Sequence, residues 1–126
     1  MSQRFFTPAS ARHALSKLRP VAERLCKLYR AMELTRPKRV SPEQRVDSDY
    51  FCLLNQLQAG LEAIRASGAQ VKDLRSGLLD FPARREGRPV LLCWKVGEAS
   101  LDFWHETGSG YDGRRPVDED GPWEEA

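Results

Sequence analysis

The stretch LDFWHETGSGYDGRRP, residues 101–116, concentrates the groups of this chain that could do chemistry. Trp104, His105 and Glu106 close an apolar run, and Gly108, Gly110 and Gly113 precede Arg114 and Arg115. An imidazole and a carboxylate can move protons, an indole plane can stack on a planar group, and a guanidinium can hold an anion through paired hydrogen bonds. Strand counting, given below, places Arg84 near the end of the sheet that leads into the glycine loop. The candidate ligand- or partner-binding set is therefore Arg84, Trp104, His105, Glu106 and Arg114. No nucleophile stands in an identifiable relation to His105 or Glu106, so no catalytic residue is assigned. GxSxG, P-loop, HExxH and strand-linked GxGxxG patterns are absent, and GSGYDG lacks the following apolar helix that would aim N–H groups at a phosphate. A flexible loop is its simpler reading. The other histidine, His13, sits among basic residues and reads as solvated.

Two halves of the chain must position this segment. Thr7-Pro8 is a helix start, with the hydroxyl as cap and proline where no donor is needed. Ala11, Leu15, Leu18, Ala22, Leu25, Tyr29 and Met32 then recur in steps of four and three. The seam keeps its phase across Pro20, which predicts a kink and not an end. Ser41-Pro42-Glu43-Gln44 is a capping box for a second helix, continued by Tyr50, Leu54, Leu57, Leu61 and Ile64 and stopped by Gly68. The pattern predicts helices over about 8–34 and 42–67, joined as an antiparallel hairpin.

Past Gly68 the apolar period becomes alternating, which predicts an antiparallel meander over about 70–106. Two-residue turns at Glu86-Gly87 and Gly97-Glu98 fix a register by counting. Ala83, Phe81 and Leu79 face Val90, Leu92 and Trp94; Trp94, Leu92 and Val90 face Leu101, Phe103 and His105. That makes one face apolar and packed on the helices, with His105 at its rim. The opposite face collects Asp80, Pro82, Arg84, Leu91, Cys93, Lys95, Asp102 and Trp104, so Trp104 points outward and is partly exposed. Pro82 marks an edge or a bulge. In this register Asp80, Cys93 and Asp102 form one cross-strand row with oxygen and sulfur ligands that divalent metals accept. The row is flat, and His105 lies on the other face, so the expectation is no metal and no cofactor.

The whole is expected to be an α+β protein: a single domain over residues 1–116 and an acidic tail over 117–126, either solvated or strapped over the basic helix. At these residues the chain resembles the uncharacterised bacterial family called domain of unknown function 2203 (DUF2203). The resemblance rests on FTPASARHAL, on VKDLRSGLLDFPARREGRPVLLCWKVGE with its DFP, CW and GE blocks, and on FWHETGSGYDGRRP with its WHE block. It implies a compact α+β protein of the bacterial cytoplasm and no particular activity.

Composition narrows the partners. Residues 1–40 hold ten Lys or Arg against Glu23 and Glu33, a net +8, so the remainder of a chain of net charge +2 carries −6. Arg12, Lys17, Arg19, Arg24, Lys27 and Arg30, with Arg36, Lys38 and Arg39, could neutralise phosphates, but no aromatics interleave and no nucleic-acid motif occurs. At most weak, salt-dependent nucleic-acid binding is expected. No signal peptide or 18-residue apolar run is present, so the expected location is the cytoplasm, without a membrane contact. Cys26, Cys52 and Cys93 are odd in number and lack a CxxC, and read as buried thiols. By elimination the sequence favours a protein-interaction or regulatory module that assembles with itself or a partner. The alternative is a small-molecule or anion-binding protein, with enzymatic activity as an option, around Trp104, His105 and the glycine loop.

Overall fold

A computed structural model describes residues 5–35 and 48–125 of the chain. Helix α1 (Pro8–Thr35) and helix α2 (Ser48–Ser67) pack against one side of a five-stranded sheet, and the protein is α+β. The strands are β1 (Gln70–Asp73), β2 (Leu78–Arg85), β3 (Arg88–Lys95), β4 (Phe103–Glu106) and β5 (Arg115–Pro116), ordered β1-β2-β3-β4-β5 and antiparallel throughout. The proposed capping box at 41–44, the start of the second helix and Arg36, Lys38 and Arg39 lie outside the described residues.

The helix signals and the Glu86-Gly87 turn act as expected where they can be compared. Thr7 Oγ1 accepts the Ser10 N–H at 3.2 Å, Ser10 Oγ accepts the Thr7 N–H at 2.8 Å, and α1 runs through Pro20 without ending. The seam of α1 is buried from Ala11 through Met32 except for the half-buried Tyr29. Gly68 closes α2 at φ 98°. Glu86 and Gly87 both adopt positive φ, 53° and 77°, which makes the β2–β3 connection a two-residue turn matched to strand twist. The predicted β2–β3 pairing is observed at every position, Leu79 with Trp94 through Ala83 with Val90. Pro82 lies beyond the end of β1, at an edge closed by Phe6, whose N–H donates to the Pro82 carbonyl at 2.7 Å.

The second connection overturns the predicted register. It spans residues 96–102 and is not a two-residue turn. Its centre is Glu98: the carbonyl accepts Trp94 Nε1–H at 3.0 Å, and the carboxylate accepts the Lys95 N–H at 2.7 Å and the Arg114 guanidinium at 2.7 Å. An odd number of connecting residues inverts the parity of the following strand, so Val90 pairs with Glu106, Leu91 with His105, Leu92 with Trp104 and Cys93 with Phe103. Trp104 therefore joins the helix-facing core at 4% exposure, and Phe103 and His105 move to the opposite face. Both the outward Trp104 and the inner-face His105 and Phe103 are corrected by this shift. Cys52 is exposed, whereas Cys26 and Cys93 are buried as read; all three are free thiols.

After β5 the acidic end crosses the hairpin end of the sheet. Asp118 accepts two hydrogen bonds from Arg85 at 2.8 Å each, Glu119 pairs with Arg12 at 2.6 Å, and Trp123 bridges to Arg85 and meets Trp104 edge-on at 5.8 Å. Glu124 accepts the Gly87 N–H at 2.6 Å. The hydrogen bonds from Arg85 hold Asp118 below its usual carboxylate range, and those from Arg12 do the same for Glu119, against the opposing effect of burial. A carboxylate depressed in the folded state contributes stability above its unfolded pKa and loses it as pH falls through the folded value. Acidification from about pH 5 to about pH 2 should thus release the segment, because the unfolded carboxylates titrate near pH 4. The expected result is a change in tryptophan emission at higher pH than the loss of helical circular dichroism. One coincident transition in both probes would show that the segment does not detach separately.

Candidate functional site

The inverted parity of β4 gathers three polar or soft groups on the face of the sheet away from the helices. Asp80 of β2 is the direct cross-strand partner of Cys93 on β3, and His105 of β4 sits diagonally beside Cys93. Their exposures are 2%, 0% and 3%. One ligand-type atom from each, a carboxylate oxygen, Sγ and an imidazole nitrogen, lies within 4.8 Å of the others. Of the row proposed from sequence, Asp80 and Cys93 are brought together and Asp102 is not: Asp102 is exposed and faces Arg12 at 3.7 Å.

His105 has its two ring nitrogens committed differently. Nδ1 lies 2.8 Å from the Glu106 carbonyl, which only accepts, so Nδ1 carries the proton and donates. Nε2 is thereby turned toward Asp80 Oδ1 at 3.2 Å. A bare imidazole nitrogen and a carboxylate oxygen are both acceptors, so this contact holds together only with a proton or a cation between them. Burial, reinforced by the Asp80 charge, pushes the Cys93 thiol up to about 12. The protonated thiol is a poor nucleophile, which argues against covalent catalysis by Cys93 alone.

A cleft of about 360 Å³ opens over this cluster, with Asp80, Leu91 and His105 at its floor, Lys72 and Leu78 on one side and loop residues 107–111 on the other. Ser109 fastens the loop through N–H and Oγ bonds to the Glu106 carbonyl, both 3.2 Å. Lys72 and Tyr111 were not singled out by sequence. Lys72 lies two residues after Gln70, the cross-strand partner of Asp80, and so on the same face of the sheet as Asp80. A larger groove of about 470 Å³ lies between Tyr29, Leu61 and residues 69–74, but its ionisable lining, Arg65, Lys72 and Asp73, is exposed.

The five candidate residues do not form one site. His105 alone is in the cleft. Glu106 points to the other face, where Arg88 grips both carboxylate oxygens at 2.6–3.1 Å and holds its pKa down. Arg84 is exposed at the β2–β3 turn, donating to the Gly87 carbonyl at 3.3 Å. Trp104 is enclosed by Trp123 and by Arg85, 4.8 Å from its ring centroid. Arg114 is locked to Glu98 and stacked over Phe103 at 4.1 Å and Tyr111 at 4.6 Å. Of the six basic residues on α1 named as phosphate candidates, four are engaged within the chain: Arg12 with Glu119, Arg19 with the Ala99 carbonyl, Arg24 with Gln56 and Arg30 with the Arg75 carbonyl. No helix among the described residues is long and apolar enough to cross a membrane.

These features define a two-layer α+β protein carrying a buried carboxylate–thiol–imidazole cluster beneath a glycine loop. The model of the uncharacterised conserved protein family DUF2203 matches residues 4–117, and the chain belongs to that family. No curated protein and no solved structure matches it. The DFP, CW and WHE blocks that carry the sequence resemblance each supply one member of the cluster, Asp80, Cys93 and His105.

Proposed function

We propose that this protein binds a small polar molecule in the cleft beneath loop 107–111. The observation that carries the reading is an open cleft floored by buried polar groups, Asp80 and His105, on rigid strands. Binding sites combine a concave surface with a few convergent polar groups, and perturbed groups such as Cys93 collect at them. Lys72 at the rim favours an anionic moiety, and the His105–Asp80 contact supplies a group able to hold or pass a proton. The interaction-module reading drew on two amphipathic helices, an aromatic outer face and a charged tail; Trp104 is instead buried in the core, and the exposed Leu34 and Phe51 of the helical layer, across the sheet from the cleft, add to its support.

The test is a thermal-shift and calorimetric screen of small acids and phosphorylated metabolites against the parent, Gly108→Leu and Lys72→Ala. Gly108 lines the cleft and a Cβ there meets nothing within 4 Å, so Gly108→Leu should leave stability within about 0.5 kcal/mol while adding bulk at the cleft wall. Hits on the parent should vanish in Gly108→Leu and weaken in Lys72→Ala. Hits that survive both substitutions would remove the cleft from the account.

A further inference from the structure

We propose that Asp80, Cys93 and His105 form a mononuclear site for a divalent transition metal, zinc by preference, bound through a carboxylate oxygen, a thiolate and Nε2. The inference deepens the cleft reading by giving its floor a cofactor, and it is tested without reference to any small molecule.

The donors sit on three adjacent strands of one sheet, at positions fixed by backbone pairing, so their convergence does not depend on a flexible segment. Zinc distances of about 2.0–2.3 Å imply tetrahedral edges of about 3.3–3.6 Å between ligand atoms. Nε2 and Asp80 Oδ1, at 3.2 Å, are already at such an edge. No pair of ligand atoms exceeds 4.8 Å, so the thiol needs to close by no more than about 1.2–1.5 Å. Sulfur, imidazole and carboxylate together match zinc better than the hard cations, which take oxygen. A thiolate and a carboxylate would also cancel the charge of a divalent ion, which a site this dry requires.

The surroundings of His105 fit the role. Metal-ligating histidines usually donate their other ring N–H to a carbonyl or carboxylate, as Nδ1 does here to Glu106. A cation between Nε2 and Oδ1 resolves the acceptor–acceptor contact that otherwise needs a proton. With three protein ligands, the fourth position faces the cleft, the arrangement of zinc sites that keep one place open. The proton of the Cys93 thiol must leave when the metal enters, so binding should release at least one proton per ion and weaken as pH falls.

The experiment uses the full chain, stripped with a chelator and dialysed, then titrated with zinc chloride against a chromogenic chelator and, separately, with cobalt(II). One zinc per chain is expected, with the spectrum of four-coordinate cobalt and a thiolate-to-cobalt charge-transfer band. Cys93→Ala should abolish the band and weaken zinc binding by at least roughly 100-fold, beyond what loss of an outer-sphere partner costs. Cys52→Ser, which removes the exposed thiol, should change neither. Absence of zinc binding by the parent, equal binding by Cys93→Ala, or loss of the band in Cys52→Ser would overturn the site. Should Cys93→Ala fail to fold, the parent's cobalt band and its proton release in buffers of different ionisation enthalpy decide the matter. Zinc binding without any effect of Gly108→Leu on small molecules removes the cleft reading and leaves the metal; the converse removes the metal and leaves the cleft.

Discussion

Trp104→Ala should lower unfolding stability by about 3–5 kcal/mol, the cost of truncating a large aromatic in a packed core. The ring is 4% exposed and shares the inner face of the sheet with Leu92, its cross-strand partner. Arg85 and Arg115 lie over it at 4.8 and 5.3 Å, and Trp123 meets it edge-on at 5.8 Å. Its removal leaves a cavity and takes away the surface on which the acidic segment rests, so the strap should loosen with it. Trp104→Phe, which keeps an aromatic of smaller volume, should cost less. Urea unfolding of the three chains measures the difference. A loss below about 0.5 kcal/mol for Trp104→Ala, the range of exposed positions, would mean that Trp104 faces solvent and that β4 follows the two-residue-turn register after all.

Arg114→Ala is the second large effect, expected at about 2–3 kcal/mol. Removing one member of a buried ion pair costs about 3–5 kcal/mol because the other charge stays behind unpaired; Glu98, with 23% of its side chain exposed, recovers part of that from water. Arg114 itself is 9% exposed, donates to both Glu98 oxygens at 2.7–2.8 Å, and stacks between Phe103 and Tyr111. Glu98 in turn holds the 96–102 connection through the Lys95 N–H. The pair therefore ties β5 to the loop that sets the register of β4. A double-mutant cycle of Arg114→Met with Glu98→Gln should give a coupling of at least about 1 kcal/mol. Additive losses, or an Arg114→Ala cost under about 0.5 kcal/mol, would make the contact a surface pair of little weight.

Both predictions reverse what the residues suggest when met in sequence, where Trp104 and Arg114 looked dispensable to the fold and available for contact. The candidate site was legible in its chemistry and not in its grouping. Asp80, Cys93 and His105 all attracted notice for their ligand types, but the count through Gly97-Glu98 put the histidine on the wrong side of the sheet. Lys72 and Tyr111 left no mark, because the pairing of β1 with β2 and the fold of loop 107–111 were not fixed by any turn signal in the sequence.

What the sequence determined by itself was a set of features governed by short-range rules. The cap at Thr7-Pro8, the apolar seam of α1, the stop at Gly68 and the Glu86-Gly87 turn each depend on neighbours a few residues apart, and each is present. The β2–β3 register followed because a two-residue turn admits one pairing. What only the tertiary structure decided was the side of the sheet on which Trp104 and His105 lie. A longer connection allows either parity, and the choice fell to contacts distant in sequence: Arg114 on Glu98, and Trp123 with Arg85 against Trp104. Since strand side chains alternate, that one-residue choice moved an indole into the core and an imidazole beside a carboxylate and a thiol.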